Sequence, residues 1–118
     1  MALPELHPVN EAVVFAHSGQ IGAAPAAAYA RVPFRGKVLK VGVVQSGAVT
    51  GTGTVATGLN GNAIAGGSLS VTGGAAGTLF TAVPTAANDV NEDDIISFTP
   101  SGATGSATGA FFAVIRRA

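Results

Sequence analysis

The residue types able to do acid–base or covalent chemistry are few in this chain, and one adjacency looks like a catalytic pair: His17 followed by Ser18. A base beside a hydroxyl becomes a nucleophile only when spatial geometry and an orienting carboxylate make it one, and adjacency supplies neither. His17 therefore reads as a strand end before a Ser-Gly turn. His7 is the other histidine, and cysteine is absent, so there is no thiol nucleophile, thiolate metal site or disulfide framework. The expectation is a protein without catalysis and without a cofactor.

Asp89-Val90-Asn91-Glu92-Asp93-Asp94 places oxygen donors at alternate positions, as a calcium loop opens. An EF-hand then needs Gly at the sixth position and Glu at the twelfth, where this chain has Asp94 and Pro100. A looser site completed by a distant carbonyl stays open beside the plainer reading, in which Asp89 and Asn91 cap a surface turn and the carboxylates are solvated. Gly51-Thr52-Gly53 is followed by Gly58, not by a glycine three places on, and Gly36-Lys37 lacks the upstream glycine and the following hydroxyl of a P-loop. These glycines read as turn residues.

The basic residues fall in two groups, Arg31, Arg35, Lys37 and Lys40 in one and Arg116-Arg117 at the end of the chain. Phe34 is the one aromatic among the first group, too little for a base-stacking platform. Six Lys+Arg balance six Asp+Glu, and the pI is near 6.7, so no field draws the chain onto nucleic acid or an anionic membrane. Arg31, Arg35, Lys37 and Lys40 are expected to form ion pairs with an acidic partner, for instance the 89–94 turn of a neighbouring copy. The alternative is a solvated edge strand whose lysines discourage pairing with other edges.

The elements that must position these residues are strands. Gly, Thr and Ser make up 35 of 118 residues, a mixture that suits short strands and tight turns better than helices. Mean hydropathy is positive at +0.47, inflated by 23 alanines, yet no apolar run is long enough to span a bilayer. The first residues carry no basic or apolar leader segment, so the chain is expected to be made and used without export. Residues 41–88 contain no formal charge, which predicts that much of the surface is covered in use.

Along the chain, residues 1–10 hold Leu3, Leu6 and Val9 with two prolines and read as an extended arm. Residues 11–118 read as one domain. Strands are expected at 11–17, 29–34 (an edge, because of Pro33), 37–45, 52–57, 63–65, 68–72, 78–83, 94–99 and 110–115, with an alanine-rich loop or single turn at 22–30. Asn60-Gly61 and Gly66-Gly67 are two-residue hairpin signals, and Pro84 and Pro100 are expected to end their strands. Short strands at roughly ten-residue spacing predict an all-β, single-domain antiparallel β-sandwich.

From Val32 to Ile115 the features follow a recognisable order: Gly36-Lys37-Val38-Leu39-Lys40-Val41, then Asn60-Gly61-Asn62-Ala63-Ile64-Ala65-Gly66-Gly67-Ser68-Leu69-Ser70-Val71. Next come Ala82-Val83-Pro84-Thr85-Ala86-Ala87-Asn88-Asp89-Val90 and an acidic turn into Ile95-Ile96. Over roughly 70% of its length the chain resembles the small cement, or decoration, proteins of tailed-bacteriophage heads. Pro84 to Asn88 is the most specific part, while Glu92-Asp93-Asp94 stands where the resemblance would have a Gly-Asp turn.

The resemblance implies a jelly-roll-like sandwich on the outer surface of the virion capsid, assembled in the bacterial host cytoplasm and bound to the major capsid protein of the same phage. A homodimer or homotrimer at a shell symmetry axis would follow. Leu3, Leu6 and Val9 are then the expected arm anchors, with Arg31, Arg35, Lys37, Lys40, Arg116 and Arg117 as polar contacts. A carbohydrate-binding or adhesion sandwich on a phage fibre or spike is the rival reading, weakened by the absence of Trp and by Tyr29 being the sole tyrosine.

Overall fold

Ser68-Leu69-Ser70-Val71-Thr72 alternates polar and apolar, and the chain there alternates exposed and buried, Leu69 and Val71 pointing into the core. The same period of two organises the rest of the molecule. The structure is a computed structural model that describes residues 11–16, 19–21, 27–47, 49–72, 75–102 and 108–117. The expected arm, with Leu3, Leu6 and Val9, lies outside the described residues, as do His7, His17 and most of the alanine-rich segment.

Eleven strands run through the described residues: β1 Glu11–Phe15, β2 Gly19–Gln20, β3 Ala28–Arg31, β4 Gly36–Gln45, β5 Thr52–Leu59, β6 Asn62–Ala63, β7 Leu69–Thr72, β8 Leu79–Ala82, β9 Asp89–Val90, β10 Ile95–Ser101 and β11 Thr108–Arg117. They form two antiparallel sheets. The front sheet has the order β1-β11-β4-β8, with β2 added on β11 and β9 on β4. The back sheet has the order β3-β10-β5, with β6 and β7 both on the far side of β5.

The pairs β1 with β11, β3 with β10, β4 with β8 and β5 with β7 nest inside one another and alternate between the sheets. That is a long hairpin wound over itself, the topology of a jelly roll, and the chain is an all-β sandwich as expected. Its core is filled from both inner faces by Val38, Val41, Val43, Phe111, Ala113 and Ile115 on the front sheet and by Val55, Leu69, Val71, Ile96 and Phe98 on the back. The Phe98 and Phe111 rings stack across the gap, 5.2 Å between centroids.

Three local expectations need correction. Asn60-Gly61 does make a two-residue hairpin, with both residues at positive φ and Leu59 paired with Asn62. Gly66-Gly67 does not: β6 and β7 pair with the same neighbour, so the 64–68 segment is an interruption within one partner of β5. Thr57, buried beneath it, donates its hydroxyl to the Gly67 carbonyl at 2.7 Å. Pro100 does not end β10, which continues to Ser101. Pairing with β3 stops at Phe98, so one flank of Pro100 needs no N–H for a ladder. Asp89 belongs to β9 and not to the acidic turn.

The segment from Pro84 to Asn88 is a staple. Thr85 N–H donates to the Ala65 carbonyl at 2.8 Å and Ala65 N–H to the Ala86 carbonyl at 3.1 Å. The buried Asn88 then holds Val38 from both sides: Val38 N–H donates to the Asn88 carbonyl at 2.9 Å, and Asn88 Nδ2 donates to the Val38 carbonyl at 2.7 Å. Asn88→Ala would leave that buried carbonyl without its side-chain donor, a loss of about 1–3 kcal/mol. Chemical denaturation should show the midpoint falling by the corresponding amount with an unchanged slope.

Candidate functional site

Alternation sends every second side chain of the front sheet away from the core, and that outer side is apolar. Register sets the side chains in rows. Ala110 faces Val44, which faces Leu79; Phe15 faces Phe112, which faces Gly42 and then the exposed Thr81; and Val13 faces Val114, which faces Lys40. Phe15 is 70% exposed, Leu79 54% and Val13 51%. The Phe15 and Phe112 rings lie 6.5 Å apart at a tilt of 53°. The Phe112 ring covers Gly42, where a Cβ would fall 2.4 Å from it. The result is a contiguous apolar surface across four strands, a feature that marks interaction sites.

A charged row closes one end of it. Glu11, Arg116, Lys37 and Asp89 stand opposite one another across β1, β11, β4 and β9, and Arg116 donates to Glu11 at 3.3 Å. Lys40 reaches the same outer face although it is three residues from Lys37. A bulge makes this possible: Val114 pairs with Lys40 and Ile115 with Val38, leaving Leu39 as the extra residue. Val38 and Val41 consequently both point inward, and Lys37 and Lys40 both outward.

The other predicted contact residues are scattered. Arg31 bonds Asp93 at the end of the back sheet, so the acidic turn that reaches Arg31 is the chain's own. Arg117 lies over the Phe34 ring, 4.2 Å from its centroid, and Arg35 is exposed in the bend before β4. Of the basic residues, the structure brings Lys37, Lys40 and Arg116 onto one face and sends Arg31 elsewhere.

The acidic turn is built differently from the expected cap. Asp94, not Asp89, accepts from Asn91 N–H, at 2.8 Å, and Asp93 takes a positive φ of 71°, the conformation a glycine would hold most easily. Among the described residues no three acidic or histidine side chains gather as metal ligands. The hydrogen bond from the Asn91 backbone, reinforced by the Asn60 side chain, holds the Asp94 carboxyl below its ordinary value of 3.8.

The outer side of the back sheet is of opposite character. Thr52 and Thr54 on β5, Ser70 and Thr72 on β7, and Thr99 and Ser101 on β10 give it a preponderance of hydroxyls, with Ile95 and Ala56 exposed among them. A shallow hollow of about 200 Å³ lies there, lined by Ala56, Gly58, Ser97 and Thr99 among others. Tyr29, 62% exposed, stands opposite Ser97 beside it.

The chain matches no protein-family model and no curated protein sequence. The apolar residues of the front face were missed by reading the charges. Their signal was available: Val13-Val14-Phe15 and Ala110-Phe111-Phe112-Ala113-Val114-Ile115 do not alternate, and a strand that is apolar on both sides has an apolar outside.

Because the folded state favours ionised Asp94, its contribution is present in full above the ordinary aspartate range and is lost as pH falls through the lower folded value. Asp94→Asn cannot ionise and should flatten the acid-side decline. Thermal melts of both proteins from about pH 6 down to about pH 3 should show a smaller drop in Tm for the variant than for the wild type.

Proposed function

We propose that this chain is a structural virion protein without catalysis, one that decorates the outside of a phage capsid shell and clamps neighbouring copies of the major capsid protein. The observation that carries the reading is the sandwich's exposed apolar outer face, joined to the sequence resemblance running from Val32 to Ile115. A cement protein needs a rigid body and a contact surface repeated many times over a lattice, and weak contacts suffice when each copy, as a dimer or trimer, bridges several subunits. Binding only the assembled lattice stabilises that lattice by mass action, so decoration raises the force or temperature at which the shell fails. Exposed Phe15, Leu79 and Val13 supply desolvation energy, and Lys37, Lys40 and Arg116 set orientation.

Purified protein should co-sediment with mature shells of the phage that encodes it, saturating at a copy number related to the shell's symmetry, and the loaded shells should rupture at a higher temperature. Failure to bind either mature or precursor shells rejects this reading.

One observation favours a second reading, a glycan-binding module of a fibre or spike: Tyr29 stands beside the hydroxyl-lined hollow of the back sheet. Its mark would be a glycan-array signal abolished by Tyr29→Ala.

A further inference from the structure

The two outer faces of the sandwich differ enough to orient it. Hydroxyls on the back face satisfy water, whereas the front face exposes Val13, Phe15, Val44 and Leu79 around the Phe112 ring. Lys40 stands in the row of Val13 and Val114, opposite a valine and not an acid, at the edge of this apolar ground. Glu11 and Asp89, the acids of the neighbouring row, stand opposite Arg116 and Lys37. The face is therefore apolar at its centre with one cation set into its margin.

A second copy pairs poorly in the two symmetric arrangements centred on this face. Face-to-face pairing about a two-fold axis along the strands, centred between β11 and β4, would set Lys40 against Val114 of the other copy. It would also set Glu11 over Asp89 and Arg116 over Lys37, like charge on like. A two-fold axis across the strands, through the Phe15, Phe112 and Gly42 row, would set Lys40 against Val44. Each arrangement desolvates an ammonium against a valine, which is costly, and the first adds repulsion.

Resting on the decoration reading, we infer that the front face is the surface turned to the shell. Its partner is a different protein, presenting an apolar patch with a carboxylate at its edge to meet Lys40. The hydroxyl-covered back face then points to solvent. An interface of this kind takes its energy from the central aromatic and its register from the marginal ion pair.

The experiment is co-sedimentation with mature shells at low and high salt for the wild type, Phe15→Ser, Lys40→Glu and Thr54→Lys. All three substituted side chains are exposed, and unchanged thermal melts would establish that each variant folds. Phe15→Ser should weaken binding at least about tenfold at either salt. Lys40→Glu should weaken it about tenfold at low salt and less at high salt, where screening removes the repulsion. Thr54→Lys on the back face should bind as the wild type does.

Wild-type binding with Phe15→Ser and Lys40→Glu equally tight overturns the front-face assignment alone, as does loss of binding in Thr54→Lys. No binding by the wild type overturns the decoration reading and this inference together. A dimer of the free protein that Phe15→Ser dissolves, with shell binding intact, assigns the face to a second copy and overturns the inference.

Discussion

The pairing of β4 with β11 is the interaction on which the other features depend. These are the two longest strands, they lie side by side in the middle of the front sheet, and their ladder runs from Gly36 opposite Arg117 to Gln45 opposite Gly109. Their inward side chains, Val38, Val41, Val43, Phe111, Ala113 and Ile115, form the front wall of the core, and their outward side chains form the centre of the apolar face. The ladder joins residues about seventy positions apart, and such non-local pairing carries a loop-closure cost that local contacts do not. The bulge at Leu39 is the ladder's one irregularity. It resets the alternation so that Val38 and Val41 enter the core together, and Lys37 and Lys40 leave it together. Asn88 holds the backbone at that point through Val38.

The outer faces show two solutions to one problem of solvation. Between residues 41 and 88 the chain has no formal charge, so its exposed strands must meet water without ions. The back sheet does so with threonine and serine, whose β-branched or small side chains also suit a pleated surface. The front sheet presents Val44 and Leu79 beside Thr81 from this stretch, and the flanking strands β1 and β11 add Val13, Phe15 and Phe112. Under the proposed function this asymmetry is the means of orientation, since burying the apolar face on a lattice lowers the free energy and burying the hydroxyl face would forfeit hydrogen bonds to water.

Ion pairs within the molecule account for part of its charge. Arg31 with Asp93 and Arg116 with Glu11 are exposed pairs, each contributing little to stability in screened solution. Their effect is to fix which cations remain available. Arg117 rests on Phe34, and Lys40 has a valine opposite it in the ladder. The charged groups that look equivalent along the sequence are thereby sorted into internal contacts and outward ones.

The amino-acid sequence by itself determined the class of fold. Gly, Thr and Ser with β-branched residues at short spacing dictate strands, and Asn60-Gly61 dictates its turn, because positive φ is a local property of the residues that adopt it. The 37–45 and 68–72 strands were legible for the same reason. Three things were decided only by tertiary structure. Gly66-Gly67 carries as strong a local turn signal as Asn60-Gly61, yet β5 takes both flanking strands as partners on one side. Arg31 found Asp93 of its own chain because β3 ends beside the acidic turn. Which valines and phenylalanines face inward could not be read from β1 or β11, since a strand apolar on both sides contains no information about its inner face. That choice was made by the partner strand and by one extra residue at Leu39, through backbone pairing between segments distant in sequence.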